Sequence, residues 1–292
     1  MHSVAVVGLG LMGSAFAATL AKSGTNTVAW NRSGTRPTPL GVERVASLTE
    51  AMTSSDLTLV ILADYAAATE IFSRPDVVAK LAGKTIANLS TGTPEESRTF
   101  GRLIASHGGQ YLSGSIPAYP GDIGEPDTGL IIAGDEALWE LHRDTFTKLG
   151  PNSWWSGPDL GSTNALDLAL VGGFYHSALG AFLEALAYAK SEGVSAGDAR
   201  TVAHELTDLL HHSIDLAVEQ INAGEYETEQ ATVAVHLAAV QMITRSMSRF
   251  AVGRSLALAS VETDLHIAQE RGHGSESIAV IYEHIFNRDQ RS

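Results

Sequence analysis

The sequence of 292 residues contains no cysteine, only nine prolines and few basic residues. Without cysteine there is no disulfide framework, thiolate metal site or cysteine nucleophile, which fits a reducing compartment such as the cytoplasm. Nineteen lysines and arginines stand against 33 aspartates and glutamates, a formal net charge of −14, which disfavours a general nucleic-acid-binding surface. The opening residues, MHS, lead into an apolar segment without a basic region or cleavage site. We therefore expect a soluble cytoplasmic protein.

The first half of the chain alternates between two hydrophobic periods, and the total length suits two domains. Short, nearly continuous apolar runs are typical of strands that are covered on both faces, and the stretches between them have the pattern of helices. This alternation predicts a doubly wound α/β domain with a parallel sheet over residues 1–158. The strand-like runs lie at residues 3–7, 27–30, 57–62, 85–89 and 129–133, and the helix-like stretches at 12–23, 46–54 and 94–107.

The second half has no strand pattern. Residues 162–192 form one proline-free helical stretch that is apolar on nearly every face, so it is buried either in protein or in a membrane. Asp167, His176 and Glu184 lie within it, and intramembrane charge is costly, so we expect burial against a second copy of the chain. The pattern predicts an interdomain helix over residues 159–192 and an all-α domain over 193–292, with helices near 197–222, 230–269 and 276–286.

A glycine-rich turn directly follows the first predicted strand and leads into a helix. Gly8, Gly10 and Gly13 have the G-x-G-x-x-G spacing in this strand–turn–helix context. The first glycine permits the tight turn, the second admits a pyrophosphate to the backbone, and the third lets the helix pack on the strand. The alternative is an ordinary turn. The context favours a dinucleotide site at Gly8, Leu9, Gly10, Leu11, Met12 and Gly13.

The end of the second predicted strand indicates which dinucleotide binds. NAD-binding proteins tend to place an acidic residue there, for the ribose 2′-hydroxyl. This chain has no acidic residue before Glu43 and instead offers Arg32 and Arg36. Two arginines, with Asn31 and Ser33 as further donors, suit a 2′-phosphate, which predicts NADP rather than NAD. A solvated arginine loop is the alternative.

Several segments in order resemble a known superfamily. The glycine turn followed by Asn31-Arg32-Ser33 resembles the β-hydroxyacid dehydrogenases, which include 6-phosphogluconate and 3-hydroxyisobutyrate dehydrogenases. Residues 63–65 (ADY), 88–94 (NLSTGTP), 161–175 (GSTNALDLALVGGFY) and 272–274 (GHG) are similar to the imine reductases and reductive aminases within it. The resemblance spans essentially the whole chain. It implies a Rossmann domain, a long interdomain helix and a helical C-terminal domain exchanged in a homodimer, with each active site between one chain's Rossmann domain and the other's helices.

The resemblance also implies further site residues. Additional cofactor contacts are expected from Leu62, Ala63, Asp64, Asn88, Ser90 and Thr91, and a substrate pocket from Tyr119, Phe174, Leu206 and His236. A lone histidine on an apolar helix is otherwise a core residue. Thr91 stands where some reductive aminases carry an asparagine that positions the carbonyl and the amine. This departure counts against efficient reductive amination at equimolar amine, but not against reduction of preformed imines.

Asp167 occupies the position that decides the chemistry. Hydroxyacid dehydrogenases of the superfamily carry a catalytic lysine on the interdomain helix, whereas no lysine of this chain lies near the start of that helix. A carboxylate can hold a cationic iminium, or as a carboxylic acid protonate a neutral imine. Tyr175, eight residues on, is the second predicted catalytic residue. Local capping is the alternative for Asp167, and core packing is the alternative for Tyr175.

These residues together predict an NADPH-dependent reductase of imines and iminium ions. A β-hydroxyacid-type dehydrogenase with aspartate in place of the lysine is the alternative among enzymes, and a non-catalytic NADP-binding dimer is the alternative outside them. We predict no metal site, because the histidines near residues 204–212 lack the H-E-x-x-H spacing and a third ligand. The predicted partners are a small-molecule imine and a second copy of the chain, without nucleic acid or membrane.

Overall fold

A computed structural model of the chain describes residues 3–247 and 256–288. These residues form two compact units, divided between Phe174 and Tyr175. The first unit is an α/β domain and the second is helical, which confirms the predicted fold class. The predicted domain limits and the exchange of helical domains stay predictions.

The first unit is built on an eight-stranded sheet with the order β3-β2-β1-β4-β5-β6-β7-β8. Its strands from β3 to β6 are parallel, and the order reverses between β1 and β4. In such sheets ligands bind outside the carboxyl ends of the strands at this point of reversal. The strands are β1 (Ser3–Val7), β2 (Asn26–Trp30), β3 (Glu43–Arg44), β4 (Leu57–Val60), β5 (Thr85–Asn88), β6 (Gln110–Ser115), β7 (Ile131–Gly134) and β8 (Trp154–Trp155).

Helices cover both faces of this sheet, and a separate apolar core lies on each face. One core includes Phe16 and Phe146 from two of the helices, and the other includes Phe72 and Phe100. Burial on both faces explains why the strands are continuous apolar runs without alternation. The helices of this unit are α1 (Leu11–Lys22), α2 (Leu48–Thr53), α3 (Tyr65–Phe72), α4 (Pro75–Val78), α5 (Pro94–Ser106), α6 (Glu136–Leu149) and α7 (Ser162–Leu166).

The sheet differs from the sequence prediction in its number of strands and in the direction of one of them. The two-residue strands β3 and β8 were not predicted, and neither was β6, whose segment QYLSGS has only two apolar residues. Strand β7 was predicted in a parallel sheet but runs antiparallel to β6. The connection between them contains only the short 3₁₀ turn Pro120–Asp122, so the chain returns without the crossover helix that parallel strands require.

The predicted interdomain helix is not a uniform α-helix. After α7 the backbone widens into a π-helix over Asp167–Phe174, and α8 (Tyr175–Ser191) follows. Sequence composition does not distinguish π from α geometry, so the pattern missed this change. By length and composition alone, Ser162–Ser191 is the one helix among the described residues that could cross a membrane. However, Thr163 and Asn164 in its first turn are buried within the first unit.

The second unit contains α8, α9 (Ala196–Ala223), α10 (Val233–Met247), α11 (Leu256–Glu270), a 3₁₀ turn (Ile278–Val280) and α12 (Ile281–Arg288). A small apolar core joins α10, α11 and the 3₁₀ turn through Val233, Leu237, Leu265 and Val280. The sequence pattern predicted one helix over residues 230–269. The structure has α10 and α11 there, and residues 248–255 lie outside the described part of the chain.

Candidate functional site

The glycine turn has a different packing constraint at each of its three glycines. Gly8 has φ of +104°, which favours glycine, and a Cβ there would lie 2.2 Å from the carbonyl oxygen of Ile61. A Cβ on Gly13 would lie 1.9 Å from the carbonyl oxygen of Gly8. A Cβ on Gly10 would meet no described atom within 4 Å. Gly8 and Gly13 therefore hold the turn together, while Gly10 faces open space.

This open space fits the pyrophosphate of a dinucleotide. Gly10 is the N-cap of α1, and no side chain of the described residues caps the helix there. The free N–H groups and the positive dipole end of α1 border a cavity of about 570 Å³. The first turn of α1 carries no acidic residue that would repel an anion there. The residues present thus suit the cofactor that the motif predicts.

The predicted 2′-phosphate residues line the same cavity at the end of β2. Asn31, Arg32, Ser33 and Arg36 all border it. Asn31 is engaged on both sides, because its Oδ1 accepts a hydrogen bond from the Leu9 N–H at 3.0 Å and its Nδ2 donates to Ser33 Oγ at 2.8 Å. Asn31 therefore ties the strand end to the glycine turn, and the two arginines remain as the charged donors.

Two further side chains act on these arginines. Glu70 accepts a hydrogen bond from Arg32 at 3.1 Å, with both side chains about two-thirds exposed. Arg44 donates from Nε to Thr38 Oγ1 at 2.9 Å and from its guanidinium to the carbonyls of Gly34 and Arg36. Arg44 thereby holds the loop that carries Arg36.

The loops after β4 and β5 hold one another in place. Ser90 Oγ accepts from the Leu62 N–H at 3.0 Å, and the Ser90 N–H donates to Asn88 Oδ1 at 3.0 Å. Asn88 is fully buried, and its Nδ2 has no hydrogen-bond partner among the described residues. Leu62 and Ala63 border the large cavity, whereas the Asp64 carboxylate caps α3 by accepting from the Ala67 N–H at 2.8 Å.

A second cavity, of about 200 Å³, adjoins the first, and Met12, Ile61 and Leu62 line both. We call it the Asp167 cavity. Among the described residues that line it, Asp167 is the only one with an ionisable side chain. Its wall is otherwise apolar or neutral and consists of Met12, Ile61, Leu62, Leu89, Ser90, Thr91, Gly114, Ser115, Ile116 and Asn164.

Hydrogen bonds fix the wall of the Asp167 cavity from behind. Asn164 Oδ1 accepts from Ser113 Oγ at 3.1 Å, and its Nδ2 donates to the Gly92 carbonyl at 3.0 Å. The buried hydroxyls of Tyr65 and Tyr111 lie 3.1 Å apart beside this asparagine. Burial is the main cause that raises the pKa of Tyr111 well above its usual value, and the neighbouring Tyr65 is the second cause. This phenol therefore stays protonated at neutral pH.

An ion pair precedes the helix that carries Asp167. Arg98 on α5 forms two hydrogen bonds with Asp159, at 2.9 and 2.8 Å. The Arg98 guanidinium and the Gly161 N–H lower the pKa of Asp159 to about 2. The pair anchors the chain just before α7.

The remaining predicted residues are not brought to this cavity within the first unit. Tyr119, 62% exposed, precedes the 3₁₀ turn after β6, and Phe174 ends the π segment. Tyr175, Leu206 and His236 belong to the second unit, on α8, α9 and α10. Tyr175 packs edge-on against His176, with ring centroids 5.4 Å apart. Their roles in the site stay predictions.

The sequence analysis did not include six of the residues that line the Asp167 cavity, and two of these six, Ser115 and Asn164, have polar side chains. Ser115 ends β6, whose alternation of Tyr111, Ser113 and Ser115 is a weak strand signal that could have been found. Asn164 stands one turn before Asp167 on the predicted helix, and its burial could have suggested that this turn faces the sheet. Among the described residues, no cluster of three or more histidines and carboxylates could hold a metal ion.

Comparison with known proteins covers both units. Residues 3–157 match the NAD binding domain of 6-phosphogluconate dehydrogenase, and residues 159–287 match the C-terminal domain of NADPH-dependent reductive aminase-like proteins. The NADPH-dependent reductive aminase of Aspergillus oryzae is 30% identical over 288 residues, covering 96% of each chain.

Solved structures agree with these matches. An imine reductase from Pseudomonas sp. superposes with a TM-score of 0.90 at 31% identity, covering 97% of this chain and 99% of that one. A reductive aminase from Aspergillus terreus, solved in complex with NADPH4, cyclohexanone and allyl amine, has a TM-score of 0.86 at 28% identity, covering 97% and 99%.

A Rossmann domain with an open glycine turn, followed by a helical domain, defines an NADP-dependent oxidoreductase of the 6-phosphogluconate dehydrogenase-like class. The match over nearly the whole chain narrows this class. The chain belongs to the imine reductase and reductive aminase family, and its cofactor is NADPH. The predicted family and the predicted cofactor are thus confirmed.

Proposed function

We propose that the protein reduces imines or iminium ions to amines with NADPH, and that Asp167 acts at the substrate nitrogen. The observation that carries this proposal is the charge of the Asp167 cavity. Its one ionisable residue is a carboxylate, and it adjoins the cavity at the glycine turn. When bound, NADPH supplies a hydride to the carbon of the C=N bond.

A carboxylate suits this substrate for a physical reason. An iminium ion carries positive charge near its nitrogen, and Asp167 as an anion holds this cation in a largely apolar cavity, where charges attract more strongly than in water. A neutral imine needs a proton on its nitrogen as the hydride arrives, and Asp167 as a carboxylic acid supplies one. Both roles are compatible with the geometry, and neither uses a lysine.

The same cavity disfavours hydroxyacid substrates. A substrate carboxylate needs a cationic partner, and none of the described residues lining the Asp167 cavity is a lysine, arginine or histidine. A carboxylate substrate would instead meet the Asp167 carboxylate and be repelled. We therefore place the β-hydroxyacid dehydrogenase activity behind imine reduction.

We further propose a homodimer in which the partner's helices complete the site. The Asp167 cavity of about 200 Å³ is smaller than a typical small-molecule site of roughly 300–1,000 Å³, so we propose that further residues enlarge and enclose it. In the single chain, α8 and α9 expose many large apolar side chains and border an apolar cavity of about 790 Å³. Exposed apolar faces of this kind mark interaction surfaces. They include Leu179, Leu183, Val202, Leu206 and Leu209.

Tyr175, Tyr119, Phe174, Leu206 and His236 are proposed as further residues of the completed site. Tyr175 carries a phenol that can donate a proton or a hydrogen bond, and the others supply bulk to the pocket wall. The Aspergillus terreus relative was solved with a ketone and an amine. We propose that this chain takes the corresponding imine once formed.

A substrate panel tests the proposed function. Purified protein is incubated with NADPH and a cyclic imine, with NADPH and the matching cyclic ketone, or with NADP and a β-hydroxyacid, and absorbance of the reduced cofactor is followed. We expect oxidation of NADPH with the cyclic imine and little change with the other two. Turnover of the hydroxyacid without turnover of the imine would identify the dehydrogenase instead. Binding of NADPH without any turnover would identify a non-catalytic dimer.

A further inference from the structure

Ser115, the last residue of β6, contacts the proposed catalytic carboxylate directly. Its hydroxyl donates to Asp167 Oδ1 at 2.6 Å, and the serine is only 4% exposed. This distance is typical of a hydroxyl bonded to a carboxylate, a strong class of hydrogen bond. In the described part of the chain, this is the one hydrogen bond to the Asp167 carboxylate, so Oδ2 remains available to the cavity.

The contact is the second of two matched connections between β6 and the helix beside it. The first connects Ser113 Oγ and Thr163 Oγ1 at 2.7 Å, and the second connects Ser115 and Asp167. Two residues along a strand advance about 6.6 Å, and four residues along an α-helix advance about 6 Å. The two spacings agree, so the strand and the helix run side by side and bond at both positions.

The second connection reaches the helix where its geometry changes. Asp167 ends the regular turn of α7 and begins the π-helix. Short π segments are frequent at functional sites, where they displace side chains from the regular α-helical register. At this change of geometry, Ser115 supplies the hydrogen bond to the Asp167 side chain.

We propose that Ser115 is a positioning residue for imine reduction. Its hydroxyl holds Oδ1 of Asp167 and thereby directs Oδ2 to the substrate nitrogen in the Asp167 cavity. The inference rests on the function proposed above, since it assigns to Ser115 the orientation of the group that acts on the imine.

The other titratable groups on neighbouring elements have different partners. Tyr111 on β6 and Tyr65 on α3 hydrogen bond to one another, and Arg98 on α5 pairs with Asp159. In the described residues none of these four groups hydrogen bonds to Asp167. Replacing Ser115 therefore leaves these four groups with their own partners.

The test compares Ser115→Ala with Ser115→Thr, which keeps the hydroxyl, and with the matched control Ser113→Ala on the same strand face. For each protein we would measure the melting temperature, the Kd for NADPH, and kcat and KM for a cyclic imine. We expect Ser115→Ala to lower kcat about 10-fold, the effect of one hydrogen bond to a charged group. Its NADPH affinity should stay within about twofold of the wild type, because Ser115 does not border the cavity at the glycine turn.

The division between kcat and KM distinguishes positioning from packing. In Ser115→Ala kcat should fall while KM changes at most about twofold, because the carboxylate is still present but is misdirected as the hydride arrives. Ser115→Thr should restore the wild-type kcat. Ser113→Ala should lower the melting temperature yet keep the wild-type kcat.

Three outcomes overturn the assignment in different ways. Wild-type kcat in Ser115→Ala means that the serine only packs. An equal loss of kcat in Ser113→Ala assigns the effect to helix–strand packing in general. An inactive wild-type protein on every imine removes the proposed function itself, and the role of Ser115 with it.

Discussion

Replacing Gly10 and Gly13 by alanine, one at a time, separates cofactor binding from packing within the glycine turn. A Cβ on Gly10 meets no described atom within 4 Å, and its φ of −71° with ψ of −171° suits any residue. Alanine is a poorer N-cap than glycine, but it also lowers the entropy of the unfolded chain; each effect is below about 1 kcal/mol and the two oppose each other. We expect Gly10→Ala to keep the wild-type melting temperature within about 2 °C.

Gly13→Ala should behave in the opposite way. Its Cβ would lie 1.9 Å from the Gly8 carbonyl oxygen and 3.0 Å from the Gly8 carbonyl carbon. Both are backbone atoms, so relief requires a shift of the turn or of α1. Overpacking of this kind costs about 1–3 kcal/mol. A cost of about 2 kcal/mol lowers the melting temperature by roughly 4–8 °C in a chain of this size.

Cofactor titration then distinguishes the two variants. The methyl group of Gly10→Ala enters the space where the pyrophosphate approaches the N-terminus of α1, and displaces it from one or two charge-assisted hydrogen bonds. We expect the Kd for NADPH to rise about 10- to 100-fold in this variant, measured by fluorescence titration at a temperature where it is fully folded. Gly10→Ala that binds NADPH as tightly as the wild type would refute the placement of the pyrophosphate. A fully stable Gly13→Ala would refute the packing argument.

Three further predictions follow from the contacts described above. Arg32→Ala should weaken NADPH binding about 10- to 100-fold while leaving NADH binding unchanged, and equal losses for both cofactors would contradict the 2′-phosphate assignment. Glu70→Gln should strengthen NADPH binding at most about fivefold, because its ion pair with Arg32 is exposed. The Leu183 side chain is 56% exposed in the single chain, and Leu183→Glu should shift the protein from dimer to monomer in sedimentation velocity. A wild-type protein that is monomeric and active at all concentrations would rule out the dimer. Asp159→Asn should cause a small loss of stability in denaturant titrations at neutral pH. Folding lowers the pKa of Asp159, so its contribution to the free energy of unfolding is complete above the pKa of the unfolded chain and disappears as pH falls toward about 2. A stability difference between wild type and Asp159→Asn that widens in acid would contradict this sign.

Local patterns in the sequence predicted the cofactor and the strand–turn–helix structure around the glycine turn. The turn requires a positive φ at Gly8 and a close backbone approach at Gly13, and the motif places glycine at both positions. The position of Arg32 and Arg36 at the end of β2 likewise follows from the length of one βαβ unit. Strands β1, β2, β4 and β5 were predicted because burial on both faces leaves a continuous apolar run.

The features that the sequence did not predict depend on contacts between distant residues. Strand β6 can be buried despite its serines because Ser113 and Ser115 hydrogen bond to Thr163 on α7 and to Asp167, about 50 residues further along the chain. Its polar composition gave only a weak strand signal in the sequence. The π segment has the composition of an α-helix. Glu70 meets Arg32 across 38 residues, and no local pattern indicates that pairing. Such contacts exist only in the folded domain.

Asp167 is proposed to act at the substrate nitrogen while hydride is transferred to the C=N carbon. The most direct measurement uses NADPH that carries deuterium in place of the transferred hydrogen, with a neutral cyclic imine and its permanently charged N-alkyl iminium counterpart, and detects deuterium in the amine by NMR. In the wild type we expect one deuterium at the former C=N carbon. Asp167→Asn that remains folded and binds NADPH should slow incorporation on the order of 10²–10⁴-fold for the neutral imine. If the carboxylate also stabilises the cation, the charged substrate slows as well; if it only donates a proton, that substrate is spared. Undiminished incorporation from both substrates in a folded, NADPH-binding Asp167→Asn, or its absence in the wild type, would contradict the account.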